Sequence, residues 1–265
     1  MCLAGSARIS TIYSKCHPIL FMPSDPVELL KFPDSAALAA AAAKAWIQAV
    51  TQAGRNSKPH FVALSGGRIV RDFYQRVVDA ARAQQTDFGH IHFFWGDERC
   101  VPPTDPESNF GVAQTLLFQP LGINASQIHR IRGEAPSTEA VNEINRDVLH
   151  LLPQDAAGLP IFDLIFLGLG EDAHVASLFP GAPAEVINAR GPYLPVIGPK
   201  PPPQRITLSY QTIAAAREVW VLASGGGKEQ ALAQSLAPNS NTSLGRVIGQ
   251  SATTRIFTDI SLPRV

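Results

Sequence analysis

Net charge is the first thing this sequence lacks. Its 22 lysines and arginines are matched by 22 aspartates and glutamates, so there is no basic excess to gather nucleic acid or an anionic membrane surface. Neither is expected as a partner, and an anionic ligand must be held by a local cluster of cations. Cysteine is scarce as well. Cys2, Cys16 and Cys100 form no C-x-x-C pair and no zinc-type spacing, which excludes a disulfide framework and fits incidental thiols in a reducing compartment. No apolar run is long enough to span a bilayer; the longest, Ala36 to Ala43, is alanine-rich and belongs to a helix. Arg8, Lys15 and His17 interrupt any charged-then-apolar leader pattern, so the cytoplasm is the expected compartment. No histidine pair at i, i+4 spacing is accompanied by an acid, and metal-free, cofactor-free chemistry is expected. The G-x-S-x-G elbow of serine hydrolases is missing too, because Ser65 is followed directly by Gly66-Gly67.

What is present is apolar and periodic. Hydrophobic residues make up 45% of the 265 positions and charged residues 17%, the balance of a folded chain with a substantial core. Residues 1–25 show no sustained period and read as a poorly defined N-terminal segment, leaving 26–265 as one α/β domain. Val27 to Phe32 predicts an opening strand. Asp34-Ser35 predicts an N-cap before a helix reaching about Ala53, with Leu38, Trp46, Ile47 and Val50 on its core face. Strands follow at 61–64, 91–95, 162–167, 205–208, 218–222 and 255–258. Helices are predicted between them, at about 69–83, 108–118 and 137–151. Strands separated by helices build an open, mostly parallel sheet with helices on both faces. In such sheets ligands bind beyond the carboxyl ends of the strands, where the strand order switches.

Four segments at strand ends carry residues suited to chemistry. Ser65-Gly66-Gly67 lets the backbone approach a ligand and opens a helix whose free N–H groups suit an anion; a tight strand-to-helix turn explains it equally well. Trp95-Gly96-Asp97-Glu98-Arg99 ends an apolar strand in three charges, which serve either as a solvated ion pair or as contacts to hydroxyls and phosphate. Gly168 to Gly181 formally fits a G-x-G-x-x-A dinucleotide fingerprint. Pro180, Gly181 and Pro183 stop any helix too early for a βαβ crossover, and no second strand ending in an acid follows where the ribose contact belongs. What remains is His174 at the start of a short helix, beside Asp172. Gly225-Gly226-Gly227-Lys228 is no nucleotide loop, since Leu222 and Glu229 occupy positions that a P-loop gives to glycine and Ser/Thr. Lys228 can still reach a phosphate from the start of a helix.

Taken in order, these segments resemble the 6-phosphogluconolactonases of the pentose phosphate pathway. Gly168 to Pro180 is similar to that family's G-x-G-x-D-G-H-x-A-S-L-F-P signature, and Trp95 to Arg99 to its strand ending in D-E-R. Ser108-Asn109 matches its S-N, Pro203 to Leu208 its P-x-R-I-T-L strand, and Gly227-Lys228 its G-x-K turn. The resemblance implies a Rossmann-like fold shared with glucosamine-6-phosphate deaminases and ribose-5-phosphate isomerases. It also implies a small-molecule substrate, 6-phosphoglucono-1,5-lactone, opened by water to 6-phosphogluconate. By position, His174 is the base with Asp172 orienting it. Asp97, Arg99, Arg205 and Lys228 contact substrate, and Gly66-Gly67 form a backbone cradle; backbone N–H groups near Gly66 or Gly170 are the candidate oxyanion donors.

Two departures stand out. Arg68 replaces the family's usual Ser or Thr and offers a cation instead of a hydroxyl. Ala173 replaces the glycine before the histidine; because Cβ disfavours the left-handed region, residue 173 is expected at negative φ in the first helical turn. Ala173→Gly is then expected to cost roughly 0.5–1 kcal/mol. An aminosugar-phosphate deaminase or isomerase is the alternative, weakened because Ala176 to Pro180 lacks the glutamate such enzymes carry after their histidine. A non-catalytic phosphosugar-binding module is a third reading, which His174 counts against.

Overall fold

The computed structural model describes residues 11–12, 27–55 and 58–262. Except for Thr11–Ile12, the segment 1–25 lies outside the described residues, as do Cys2 and Cys16; Cys100 is a half-buried free thiol. The strands are β1 (Thr11–Ile12), β2 (Val27–Lys31), β3 (His60–Leu64), β4 (Ile91–Trp95), β5 (Asp97–Arg99), β6 (Leu164–Gly168), β7 (Tyr193–Ile197), β8 (Gln204–Leu208), β9 (Glu218–Ala223) and β10 (Thr254–Thr258). The α-helices are α1 (Ser35–Gly54), α2 (Arg68–Gln84), α3 (Asn109–Ala113), α4 (Gln119–Leu121), α5 (Ser137–Leu151), α6 (Ala184–Ile187), α7 (Tyr210–Ala215), α8 (Glu229–Leu236) and α9 (Ser243–Gln250).

Seven strands form one sheet in the order β1-β2-β10-β9-β6-β3-β4, every pairing parallel. Helices cover its faces, so the inner strands read as near-continuous apolar runs; β3, β4, β6 and β9 are buried almost throughout. Helix α1 starts where the sequence predicts, with the Asp34 carboxylate accepting from Ala37 N–H at 2.8 Å. It buries Leu38, Trp46, Ile47 and Val50, each large side chain contributing about 1.5–3 kcal/mol. Trp46 packs on Phe73 of α2 and Phe166 of β6, with ring centroids 5.6 and 5.2 Å apart. One hydrophobic cluster runs from Leu29 to Ile260. Among the described residues no helix is long and apolar enough to cross a membrane.

A second, antiparallel sheet of order β5-β8-β7 departs from the expected single sheet. Strand β5 is the charged triplet Asp97–Arg99, whose composition predicts a loop; β7 contains Pro195, which breaks a strand pattern unless the strand lies at an edge. Helix α5 covers that edge: Asn145 accepts from Tyr193 N–H at 2.7 Å and donates to its carbonyl at 3.1 Å. Tyr193 in turn donates its hydroxyl to the Trp95 carbonyl at 2.8 Å, tying the small sheet to the end of β4. The helix predicted over 108–118 is α3 followed by a π-helical turn, Gln114–Phe118.

Candidate active site

Strand order switches between β3 and β6. After β3 the chain continues to β4 at the sheet edge, then returns to β6 on the other side of β3. A cavity of about 310 Å³ opens at the carboxyl ends of these strands. Gly66, Gly67, Arg68, Asp97, Arg99, His174, Arg205 and Lys228 all line it, so residues spread over more than 160 positions meet at the switch point. Asp172 is the one candidate site residue that does not line it. It stands behind His174 and borders a neighbouring apolar groove.

His174 sits on an irregular loop after β6, not at the start of a helix. The loop is held by backbone bonds from Gly170 N–H to His174 O at 2.9 Å and Ala173 N–H to Gly170 O at 3.0 Å. The Asp172 carboxylate lies 2.5 Å from His174 Nδ1. An ionised carboxylate only accepts, so this contact places the proton on Nδ1 and leaves Nε2 as the basic nitrogen. Burial pushes the Asp172 carboxyl up, but the hydrogen bond and charge of His174 outweigh it and hold it below the usual range. The Phe179 ring packs on the imidazole at 4.9 Å. A Cβ on Gly170 would stand 2.1 Å from His174 Nδ1 and 2.6 Å from the Asp172 oxygen; glycine there leaves room for the pair.

Ala173 has φ +66, correcting the expectation of negative φ. The loop needs a left-handed residue just before the histidine, and Ala176 at φ +50 supplies a second bend. Ala173 is fully buried and does not line the cavity, so its methyl leaves the ligand space clear. The expected sign of Ala173→Gly reverses. Alanine in the left-handed region costs about 1–2 kcal/mol, more than the ~0.4–1 kcal/mol of chain entropy that glycine adds. The variant should gain roughly 0.5–1 kcal/mol, read as a higher urea midpoint at unchanged slope; a lower midpoint would show that the loop is not strained at this position.

Asp97 and Arg99 reach the cavity from alternate positions of β5. Asp97 is buried, and its carboxylate accepts from Ser177 Oγ at 2.6 Å and Asn109 Nδ2 at 3.3 Å. Asn109 also fills the space over Gly66, where a Cβ would lie 2.0 Å from its Oδ1. Neither Ser177 nor Asn109 carried a predicted role, although both lie within the matched S-N and A-S-L-F-P motifs. Arg99 donates to Glu107 through its carbonyl at 2.8 Å and its carboxylate at 3.2 Å. Arg205 stacks on Phe179, 5.7 Å from the ring centroid, and donates to the Pro202 and Lys200 carbonyls. Burial, then neighbouring Arg99, lowers its pKa.

Arg68 and Lys228 differ from these cations. Where Arg99 and Arg205 spend their guanidinium groups on neighbouring oxygens, no side-chain hydrogen bond or ion pair of Arg68 or Lys228 is found among the described residues. Burial and then the charge of Arg68 depress the Lys228 ammonium, as expected of two cations facing one space. Arg68 is the first residue of α2, and Lys228 directly precedes α8; neither helix start has a side-chain cap. Two uncapped helix N-termini and two cations therefore border one wall, an arrangement suited to a doubly charged anion. Among the described residues no group of three or more His, Cys, Asp or Glu is placed to hold a metal.

Fold and site together define an α/β enzyme of the type that binds phosphorylated sugars and carries a His–Asp pair. The profile of the family described as Glucosamine-6-phosphate isomerases/6-phosphogluconolactonase matches residues 33–254, and the chain belongs to this family. It is 35% identical over 209 residues to the 6-phosphogluconolactonase of Mycobacterium tuberculosis, covering 77% of this chain and 84% of that one. The Streptomyces coelicolor 6-phosphogluconolactonase is 34% identical over 227 residues, covering 81% and 84%. The structure of 6-phosphogluconolactonase from Trypanosoma brucei superposes with a TM-score of 0.75 at 26% identity, covering 90% of this chain and 97% of that one.

Proposed function

We propose that this protein hydrolyses 6-phospho-D-glucono-1,5-lactone to 6-phospho-D-gluconate, the lactone-opening step of the pentose phosphate pathway, in the cytoplasm. The observation that carries the reading is the His174–Asp172 pair sharing one cavity with the Arg68 and Lys228 cations. Phosphate sits between Arg68, Lys228 and the two helix starts, with Gly66-Gly67 as backbone cradle. That fixes the sugar so that its C1 carbonyl reaches His174. Asp97 accepts from a sugar hydroxyl, while Arg99 and Arg205 complete the polar wall.

Water then attacks C1 as His174 Nε2 takes its proton. Of the two candidate sets of oxyanion donors, the backbone N–H groups near Gly66 meet the C1 oxyanion; Gly170 N–H is already bonded to His174 O, and Gly170 does not line the cavity. When the C1–ring oxygen bond breaks, the imidazolium returns the proton to that oxygen. One water is consumed, a carboxylic acid and a hydroxyl are formed, and the acid ionises. Asp172 holds the imidazole in the required tautomer and stabilises its charged form.

Purified protein assayed side by side with fresh 6-phosphogluconolactone and with glucosamine 6-phosphate tests this. Acid release from the lactone far above its spontaneous rate, without ammonia from the aminosugar, is expected. Ammonia release with only background lactone opening would assign the deaminase chemistry of the family instead.

A further inference from the structure

Glu98 has no part in the reaction as described, yet it is one of the most fully buried charged groups near the site, at 2% exposure. Successive strand residues leave opposite faces. Asp97 and Arg99 line the cavity, and Glu98 points away from it. Its carboxylate meets four donors: Oε1 accepts from Arg99 N–H and Asn109 N–H, each at 2.8 Å, and Oε2 from Phe110 N–H at 2.8 Å and Ser108 Oγ at 3.2 Å. Three of these are backbone groups that cannot turn round. A carboxylate satisfies them on both oxygens, whereas an amide in its place accepts on one oxygen only and aims N–H groups at donors. A buried charge is costly to keep, so a site built to demand one calls for a use.

The use lies one residue further on. Glu98 fixes the backbone of Asn109. The Asn109 side chain reaches back to donate to the Asp97 carbonyl at 2.8 Å and to its carboxylate, and it also occupies the space over Gly66. One asparagine thus spans two walls of the cavity, the end of β3 and strand β5, and Glu98 anchors it.

We propose that Glu98 is a positioning residue for substrate binding, acting through Asn109 to set the Asp97 carboxylate against the Gly66 backbone. This rests on the reading that the cavity takes the phosphorylated lactone. Burial, with a smaller push from Asp97, raises the Glu98 carboxyl to about 7 against the pull of its backbone hydrogen bonds. Asp97, Tyr74, Cys100 and Arg130 are the titratable or charged groups that bear on it, while Arg99 does so through its backbone N–H. Only the ionised form makes all four bonds, so KM gains an acid limb as the pH falls through neutrality. Stability runs the other way. An acid whose folded pKa is raised disfavours the folded state once ionised, so its protonation at low pH favours the fold while loosening the site.

The test compares wild type, Glu98→Gln, Asn109→Ala and the double variant with the phosphorylated lactone between pH 6 and 8, thermal melts being run in parallel. Both single variants should raise KM by roughly 3- to 30-fold with kcat within about threefold, the pattern of lost ground-state and transition-state binding alike. Glu98→Gln should flatten the acid limb of KM, and the double variant should be no worse than the weaker single one, because both break the same link. A folded Glu98→Gln enzyme with wild-type KM and pH profile overturns the proposal, as does full additivity in the double variant. If Glu98→Gln fails to fold, Asn109→Ala decides, with an unchanged KM counting against the proposal. Wild-type enzyme inert toward the lactone would instead defeat the functional reading beneath it.

Discussion

Replacing His174 with alanine is expected to lower kcat by about 10²–10⁴-fold, the contribution typical of a positioned general base. The side chain is 30% exposed and lies on a loop held by its own backbone bonds, so the variant should fold and melt close to wild type. Asp172→Asn should follow in the same direction. An amide no longer fixes the Nδ1–H tautomer or supports the imidazolium, and kcat should fall while KM holds. The kinetics of both folded variants check this; near-normal turnover by His174→Ala would remove the histidine from the mechanism.

The second large effect is expected at the cation pair. Each charge-assisted contact to phosphate is worth on the order of 1.5–3 kcal/mol, or roughly 10- to 10²-fold in kcat/KM. Lys228→Ala should therefore cost the phosphorylated lactone about that much and leave unphosphorylated gluconolactone nearly unchanged. Arg68→Ser, which restores the residue usual in the family, should act the same way with a smaller loss, since a hydroxyl retains one neutral contact. Combined, the two should approach the rate seen with the unphosphorylated substrate, with less than additive loss because they share one ligand group. Equal damage to both substrates would assign Lys228 a structural or catalytic role.

The parallel sheet was legible because its inner strands are buried on both faces, so Phe61 to Leu64 or Leu164 to Leu167 stand out as apolar runs between helices. The small sheet was not. Strand β5 is held by pairing with β8 despite three charges, and β7 tolerates Pro195 because β7 is an edge strand. Tyr193, two residues earlier, turns its N–H outward to Asn145, so the nitrogen of Pro195 also faces the outer side, where no strand needs a donor. The residues that line the cavity were legible as strand-end motifs in a fixed order. Their supporting partners were not: Ser177 and Asp97 lie 80 positions apart, and nothing local to either reveals the other. The loop at His174 misled for a different reason. Alanine argues against a left-handed residue, and the tertiary setting overrode that preference, with buried Ala173 held by Leu244 N–H on its carbonyl at 3.3 Å.

The central claim is that this cavity opens a phosphorylated sugar lactone. Its most direct test follows the C1 carbon of freshly made 6-phosphogluconolactone by NMR at neutral pH, with and without a catalytic amount of protein. The carbonyl signal of the lactone should give way to that of the carboxylate many times faster with wild-type protein, and at close to the spontaneous rate with His174→Ala. Superimposable time courses with and without folded wild-type protein would contradict the assignment.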